Sequence, residues 1–181
     1  MILAIDPSLA KTGYAWFKLP DTPPADLQGY AACLLDSGVW KTSAADPIED
    51  RLALLASQCL SYVATRPLVV LEVPARIVAY ARHQGAGAGI LAGMCHLNRA
   101  IGLYEGLSLG LGLTLVRIPA SRQTKTARHQ RVTQVWPNLG RTTEDQRDAL
   151  ALGLGYLLDQ RRRGPVVATD SGVGHQSLGT P

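Results

Sequence analysis

Cysteine is scarce in this 181-residue chain, and its three copies carry no recognisable chemistry. Cys33, Cys59 and Cys95 lack metal-ligand spacing and sit in apolar contexts, which reads as buried free thiols in a reducing cytosol. No opening segment resembles a signal peptide, so the expected location is the cytoplasm, or a host cytoplasm if the chain is viral. Long uninterrupted apolar runs are missing as well. The Gly/Ala/Leu stretch from Gly85 to Val116 contains His96, Asn98, Arg99 and Glu105, so no membrane partner is expected. "GAGAGILAG" (85–93) lacks the spacing of a phosphate-binding loop and follows "AYARHQ" rather than a strand, so no nucleotide cofactor is expected.

Acids are nearly absent from one long stretch. Between Val73 and Thr143 the only acid is Glu105, against nine bases: Arg76, Arg82, Arg99, Arg117, Arg122, Lys125, Arg128, Arg131 and Arg141. Net charge is only +4, so the signal is the asymmetry rather than the total. A basic half facing a polyanion is one reading and an ordinary solubilising surface the other; concentration of the bases in loops and helix starts favours the polyanion.

What is present describes a globular protein, with 46% hydrophobic and 18% charged residues. Residues 1–163 read as one domain, and 164–181 as a flexible or interaction tail. "ILAI" is a short buried strand ended by Asp6; Pro7-Ser8 turns the chain, and Tyr14 to Phe17 forms a second strand. Residues 19–29 form a loop and 30–40 a third strand. A helix follows, with Asp46 as cap, Pro47 at its first position, Glu49 completing a capping box, and Leu52, Leu55, Cys59 and Val63 on one face. "LVVLE" (68–72) is apolar throughout, as in a strand buried on both faces. A helix across much of 87–106, a strand at 114–119 and helices at 126–136 and 143–160 complete the order. Three strands and then alternating helix and strand predict an α/β fold: a mixed sheet, antiparallel at its start, with helices on both faces.

Asp6 has two readings. It either caps its own turn through the amides of Ser8 and Leu9, or belongs to a cluster of acids. Glu72 ends its strand as Asp6 does, and parallel neighbours would bring both to one sheet edge, where α/β folds place their sites. In "TTEDQRDALAL", Thr143 can cap a helix with Gln146 three residues on, and Asp145 and Asp148 share a face that continues through Leu152. Favourable placement in the helix dipole accounts for Glu144 and for Asp145, but poorly for Asp148, which precedes an apolar run. Converging carboxylates repel unless a cation neutralises them, and all-oxygen ligation suits Mg²⁺ or Mn²⁺. Two such ions about 3.5–4 Å apart can clamp a scissile phosphate.

The motifs "ILAIDPSLAKTGYA", "LVVLE" and "EDQRDALAL" resemble those of the RuvC family of Holliday junction resolvases, in the ribonuclease H-like superfamily, in order and spacing across about residues 1 to 160. The resemblance implies that Asp6, Glu72, Asp145 and Asp148 are catalytic and metal-binding, with two Mg²⁺ or Mn²⁺ ions per site. It also implies a homodimer that binds a four-way branched DNA and makes two symmetric nicks, leaving 5′-phosphate and 3′-hydroxyl ends. Lys11, Arg76, Tyr80, Arg82, Arg122, Lys125, Arg128 and Arg131 are the candidate DNA-binding residues, with Tyr80 readable either as a base-stacking ring or as a surface tyrosine. Lys125 matches the family's lysine after a shortened connection, "IPASRQTK". Ser8 stands where the family usually has Gly, and Ala75 where an aromatic wedge is often found. Gly85, Gly89 and Gly93 line one face of a helix that lies near the dimer interface in the family's architecture. His83 and His129 read as phosphate contacts or surface residues rather than metal ligands. Three rivals stand beside this reading: an inactive junction-binding protein, a branched-DNA nuclease of relaxed range acting on flaps and forks, and a sugar-kinase or actin-like ATPase, for which 181 residues are too few.

Overall fold

The structure, a computed structural model, describes residues 1–74, 88–120 and 125–163. Strands β1 (Ile2–Asp6), β2 (Lys11–Phe17), β3 (Leu34–Lys41), β4 (Leu68–Val73) and β5 (Leu115–Pro119) form one sheet in the order β3-β2-β1-β4-β5. β2 is antiparallel to β1 and β3, whereas β4 is parallel to β1 and β5. Helices α1 (Ile48–Val63) and α2 (Ala88–Gly110) cover one face; α3 (Lys125–Val135) and α4 (Glu144–Arg163) cover the other. The mixed sheet with helices on both faces is the architecture expected from the element order. Among the described residues, no helix is long and apolar enough to cross a membrane.

Alternation along the strands builds two cores. Leu3 and Ile5, with Val69 and Leu71, pack toward Leu55 and Cys59 of α1 and Ala100 and Tyr104 of α2. Ile2 and Ala4, with Val70, Ala15 and Phe17, pack toward Val132 of α3 and Leu150 and Leu154 of α4. Two glycines let α4 lie close to the sheet. A Cβ on Gly153 would sit 2.1 Å from Phe17 Cε2, and one on Gly13 would sit 2.0 Å from the carbonyl oxygen of Asp145.

Several local expectations change. The third strand starts at Leu34, because Gln28–Cys33 winds as a 3₁₀ helix. Its three-residue repeat puts Tyr30 and Cys33 on one buried side, a spacing that resembles loose strand alternation in the sequence. Asp46 does not cap α1. Pro47 occupies the cap position without a side-chain bond, and the Asp46 amide turns back to the Ser43 carbonyl at 3.3 Å. Cys95 is exposed, since its part of α2 faces away from the sheet, whereas Cys33 and Cys59 are buried as expected. The Thr143 cap is present, its Oγ1 accepting from the Gln146 amide at 3.2 Å.

Candidate active site

The parity that sends Ile2 and Ala4 toward α4 carries on to Asp6, and that of Val70 carries on to Glu72. Pairing of Ile5 with Leu71 sets these two acids side by side at the carboxyl ends of β1 and β4. On its other side Asp6 pairs with Gly13, the residue against which the Asp145 backbone rests. The first turn of α4 therefore lies on the strand beside Asp6. One turn further, Asp148 is 5% exposed although it carries a carboxylate.

The turn after Asp6 does not use Asp6 as its cap at the Ser8 amide. That amide donates to Thr12 Oγ1 at 3.2 Å, Thr12 Oγ1 donates to the Ser8 carbonyl at 2.5 Å, and Ser8 Oγ accepts from the amides of Ala10 and Lys11. Tyr104 of α2 also donates to Thr12 Oγ1, at 3.1 Å, fixing the turn from the opposite face. Asp6 is set beside Glu72 instead, the acid whose charge acts on it most strongly. Burial, then the charges of Glu72, Asp148 and Asp145, push the Asp6 carboxyl up to about 8.

A single turn of α3 supplies cations to these acids. Lys125 bonds Glu144 and reaches Asp148 Oδ2 at 2.9 Å; its ammonium is pushed up to about 12, chiefly by Glu144 and then by Asp148. Arg128 Nη1 lies 3.3 Å from Glu72 Oε1, and Nη2 lies 3.6 Å from Asp148 Oδ1. His129 Nε2 is 2.8 Å from the same Asp148 oxygen. The buried Arg128 Nε has no hydrogen-bond partner among the described residues.

The donor chemistry fits a hard divalent cation: Asp6, Glu72, Asp145 and Asp148 offer only oxygen. Among the described residues, however, no three of the Asp, Glu, His or Cys side chains converge to hold a metal ion, so the four acids expected from the sequence do not form an assembled ligand set. Mg²⁺ does not require one, since it keeps several waters and is usually held by one or two carboxylates together with substrate phosphate. The Asp6–Glu72 pair with Asp148 beside it suits that mode.

The remaining candidates are dispersed. Lys11 is exposed at the start of β2, and Arg131 is exposed one turn beyond Arg128. Lys125 and Arg128 face the acids instead of an open basic surface. Gly89 and Gly93 lie within α2, and a Cβ on Gly93 would meet nothing within 4 Å. Arg76, Tyr80, Arg82 and Arg122, together with Ala75, His83, Gly85 and the tail 164–181, lie outside the described residues. Sequence reasoning missed the role of His129. The signal was its position four residues after Lys125, which puts both side chains on one face of α3. It also missed Gly13 as the seat of α4, which only the register reveals.

No protein-family model matches the chain, and no curated protein matches it. Among solved structures it is similar to Thermus thermophilus RuvC in complex with a Holliday junction substrate, with 19% identity and a TM-score of 0.68 over 90% of this chain and 95% of that one. It is also similar to a second Thermus thermophilus RuvC structure, with 17% identity and a TM-score of 0.66 over 90% and 96% of the two chains. The resemblance drawn from three short motifs extends to the whole architecture: the chain has the RuvC fold.

Proposed function

We propose that this chain is a metal-dependent endodeoxyribonuclease that resolves four-way DNA junctions by paired nicks. The observation that carries the reading is the Asp6–Glu72 carboxyl pair at adjacent strand ends, flanked by Asp148 and faced by the basic turn of α3. Asp6, Glu72, Asp145 and Asp148 hold the divalent ions, Mg²⁺ or Mn²⁺, which when bound neutralise the scissile phosphate and activate water for in-line attack. Arg128 and Lys125 hold the acids apart and in place, and Arg131 grips neighbouring backbone phosphate.

Two nicks related by a two-fold need two such sites, hence a homodimer. The α2 helix is the proposed interface. Leu109 is 65% exposed there, and Cβ atoms on Gly102 and Gly106, one turn apart, would each meet open space, so a second backbone can approach closely.

The test is cleavage of end-labelled four-way junctions, flaps and linear duplex side by side, with Mg²⁺ and with EDTA. Symmetric nicks confined to the junction and lost in EDTA are expected. Equal cutting of flaps and forks replaces the reading with a relaxed branched-DNA nuclease, and tight junction binding without any cutting replaces it with an inactive binder.

A further inference from the structure

Beside the carboxylates the helical layer runs out. α4 crosses β2 and β1 and reaches only the margin of β4, so among the described residues little covers the edge strand β5 on that face. The result is a trough of about 640 Å³. Its floor is Val116 and Ile118 of β5, one wall is Leu152, Gly155 and Leu158 of α4, and the other is Arg128 and Arg131 of α3. Glu72 lines its inner end, so the trough opens directly from the proposed catalytic acids.

We propose that this trough seats one unpaired nucleobase of the DNA substrate, from a nucleotide adjoining the scissile phosphate. The inference rests on the nuclease reading above and adds the means of choosing a branch. The volume lies in the range of small-ligand pockets and is far too small for a duplex. Its walls are mainly apolar, as a base face requires. Of the arginines that line it, Arg117 is paired with Glu105 and Arg128 with Glu72 and Asp148, while Arg131 and Arg162 at its rim are placed to meet the phosphate of a nucleotide whose base lies in the trough. Extruding a base from a stack costs a few kcal/mol, least where pairing is already broken. A seat that must be filled before cutting therefore favours a branch over linear duplex.

Gly155 allows a clean test. It lies inside α4 and lines the trough, and a Cβ there would meet nothing within 4 Å, so Gly155→Trp puts a ring where the base would sit. Junctions carrying 2-aminopurine in turn at each branch-adjacent position are bound to the full-length protein in EDTA. In the wild type one position gains fluorescence as its base unstacks. Gly155→Trp, shown to be folded by a melting temperature no lower than the wild type's, loses that gain, binds the junction roughly tenfold more weakly, and loses preference over linear duplex. A wild type that binds the junction with every 2-aminopurine still stacked overturns the seat and leaves the nuclease reading intact. A gain that persists in Gly155→Trp places the base elsewhere. If that variant instead turns a dimer into a monomer with the fluorescence unaltered, the trough is a protein interface. Absence of junction binding by the wild type removes the nuclease reading itself.

Discussion

On the α1/α2 face of the sheet, Trp40 stacks on Tyr14 at 4.7 Å, Trp16 meets Tyr62 edge-on at 5.4 Å, and the hydroxyls of Tyr14 and Tyr62 both bond Asp36. On the α3/α4 face the neighbouring strands β1 and β4 carry Asp6 and Glu72 near their ends, with Asp148 beside them. The first face is filled by rings whose polar tips are satisfied. The second is aliphatic around Leu150 and Leu154 but also holds Phe17, Tyr30 and Trp136, with Tyr30 Oη lacking a hydrogen-bond partner among the described residues, and at the strand ends it places like charges beside one another. One face therefore concentrates stability, while the other accepts an electrostatic cost where chemistry is to occur.

Asp6→Asn breaks this contrast most completely. It should abolish cleavage while junction binding persists, measured on labelled junctions, and Glu72→Gln should do the same. The same Asp6 variant should also be the more stable protein without metal. The folded wild type holds the Asp6 proton up to about pH 8, whereas the unfolded chain releases it near 3.8. Stability from that proton is complete below the lower value and lost as pH rises through the upper one. The metal-free melting temperature of the wild type should fall between pH 5 and 8, and that of Asp6→Asn should stay nearly level. The rise in stability at pH 8 should be a few kcal/mol, and divalent ions should erase the wild-type slope.

Asp148 and Asp145 should separate next. Asp148 is buried and touched by Lys125, Arg128 and His129, while Asp145 is partly open in the first turn. Single-turnover rates should drop further for Asp148→Asn than for Asp145→Asn, and the reverse order would refute this geometry. Gly13→Ala drives a methyl into the Asp145 carbonyl and should cost about 3 kcal/mol or more in denaturant titration. By contrast Gly155→Ala, with open space at its Cβ, should gain about 0.5–1 kcal/mol from helix propensity. Tyr104→Phe removes one buried hydrogen bond to Thr12 and should cost about 1 kcal/mol, the aromatic face otherwise staying intact. The smallest effect is in salt dependence. Arg131→Ala should lower the slope of log K for DNA against log salt by about one, and Arg128→Ala, already committed to Glu72 and Asp148, by less.

The strands were legible wherever one residue type dominated a short run, as in "ILAI" and "LVV", because burial on both faces leaves no alternation to misread. The convergence of Asp6 and Glu72 was legible for the same reason: each is the first charge after such a run. The 3₁₀ turn at Gln28–Cys33 was not, since two buried positions, Tyr30 and Cys33, are too few to establish a period. Nor was the absent Asp46 cap, because capping potential does not say which backbone groups the preceding turn has already engaged. Lys125 and Arg128 were legible as bases, but their orientation depended on where α4 places Asp148, a contact spanning about twenty residues that local patterns do not encode.

The shared parity of the two cores and the acids has a consequence for how this chain tolerates change in length. One residue inserted or deleted within β1 would rotate everything beyond it by half a turn, exchanging the side chains between the two cores and aiming Asp6 at the aromatic face. Losing the site and losing the fold are thus a single event in β1, whereas a change of length in the loop at 19–27, outside the ladder, leaves strand parity intact and puts at stake only local ties such as the Leu27 packing and the bond from Arg161 to the Ala25 carbonyl.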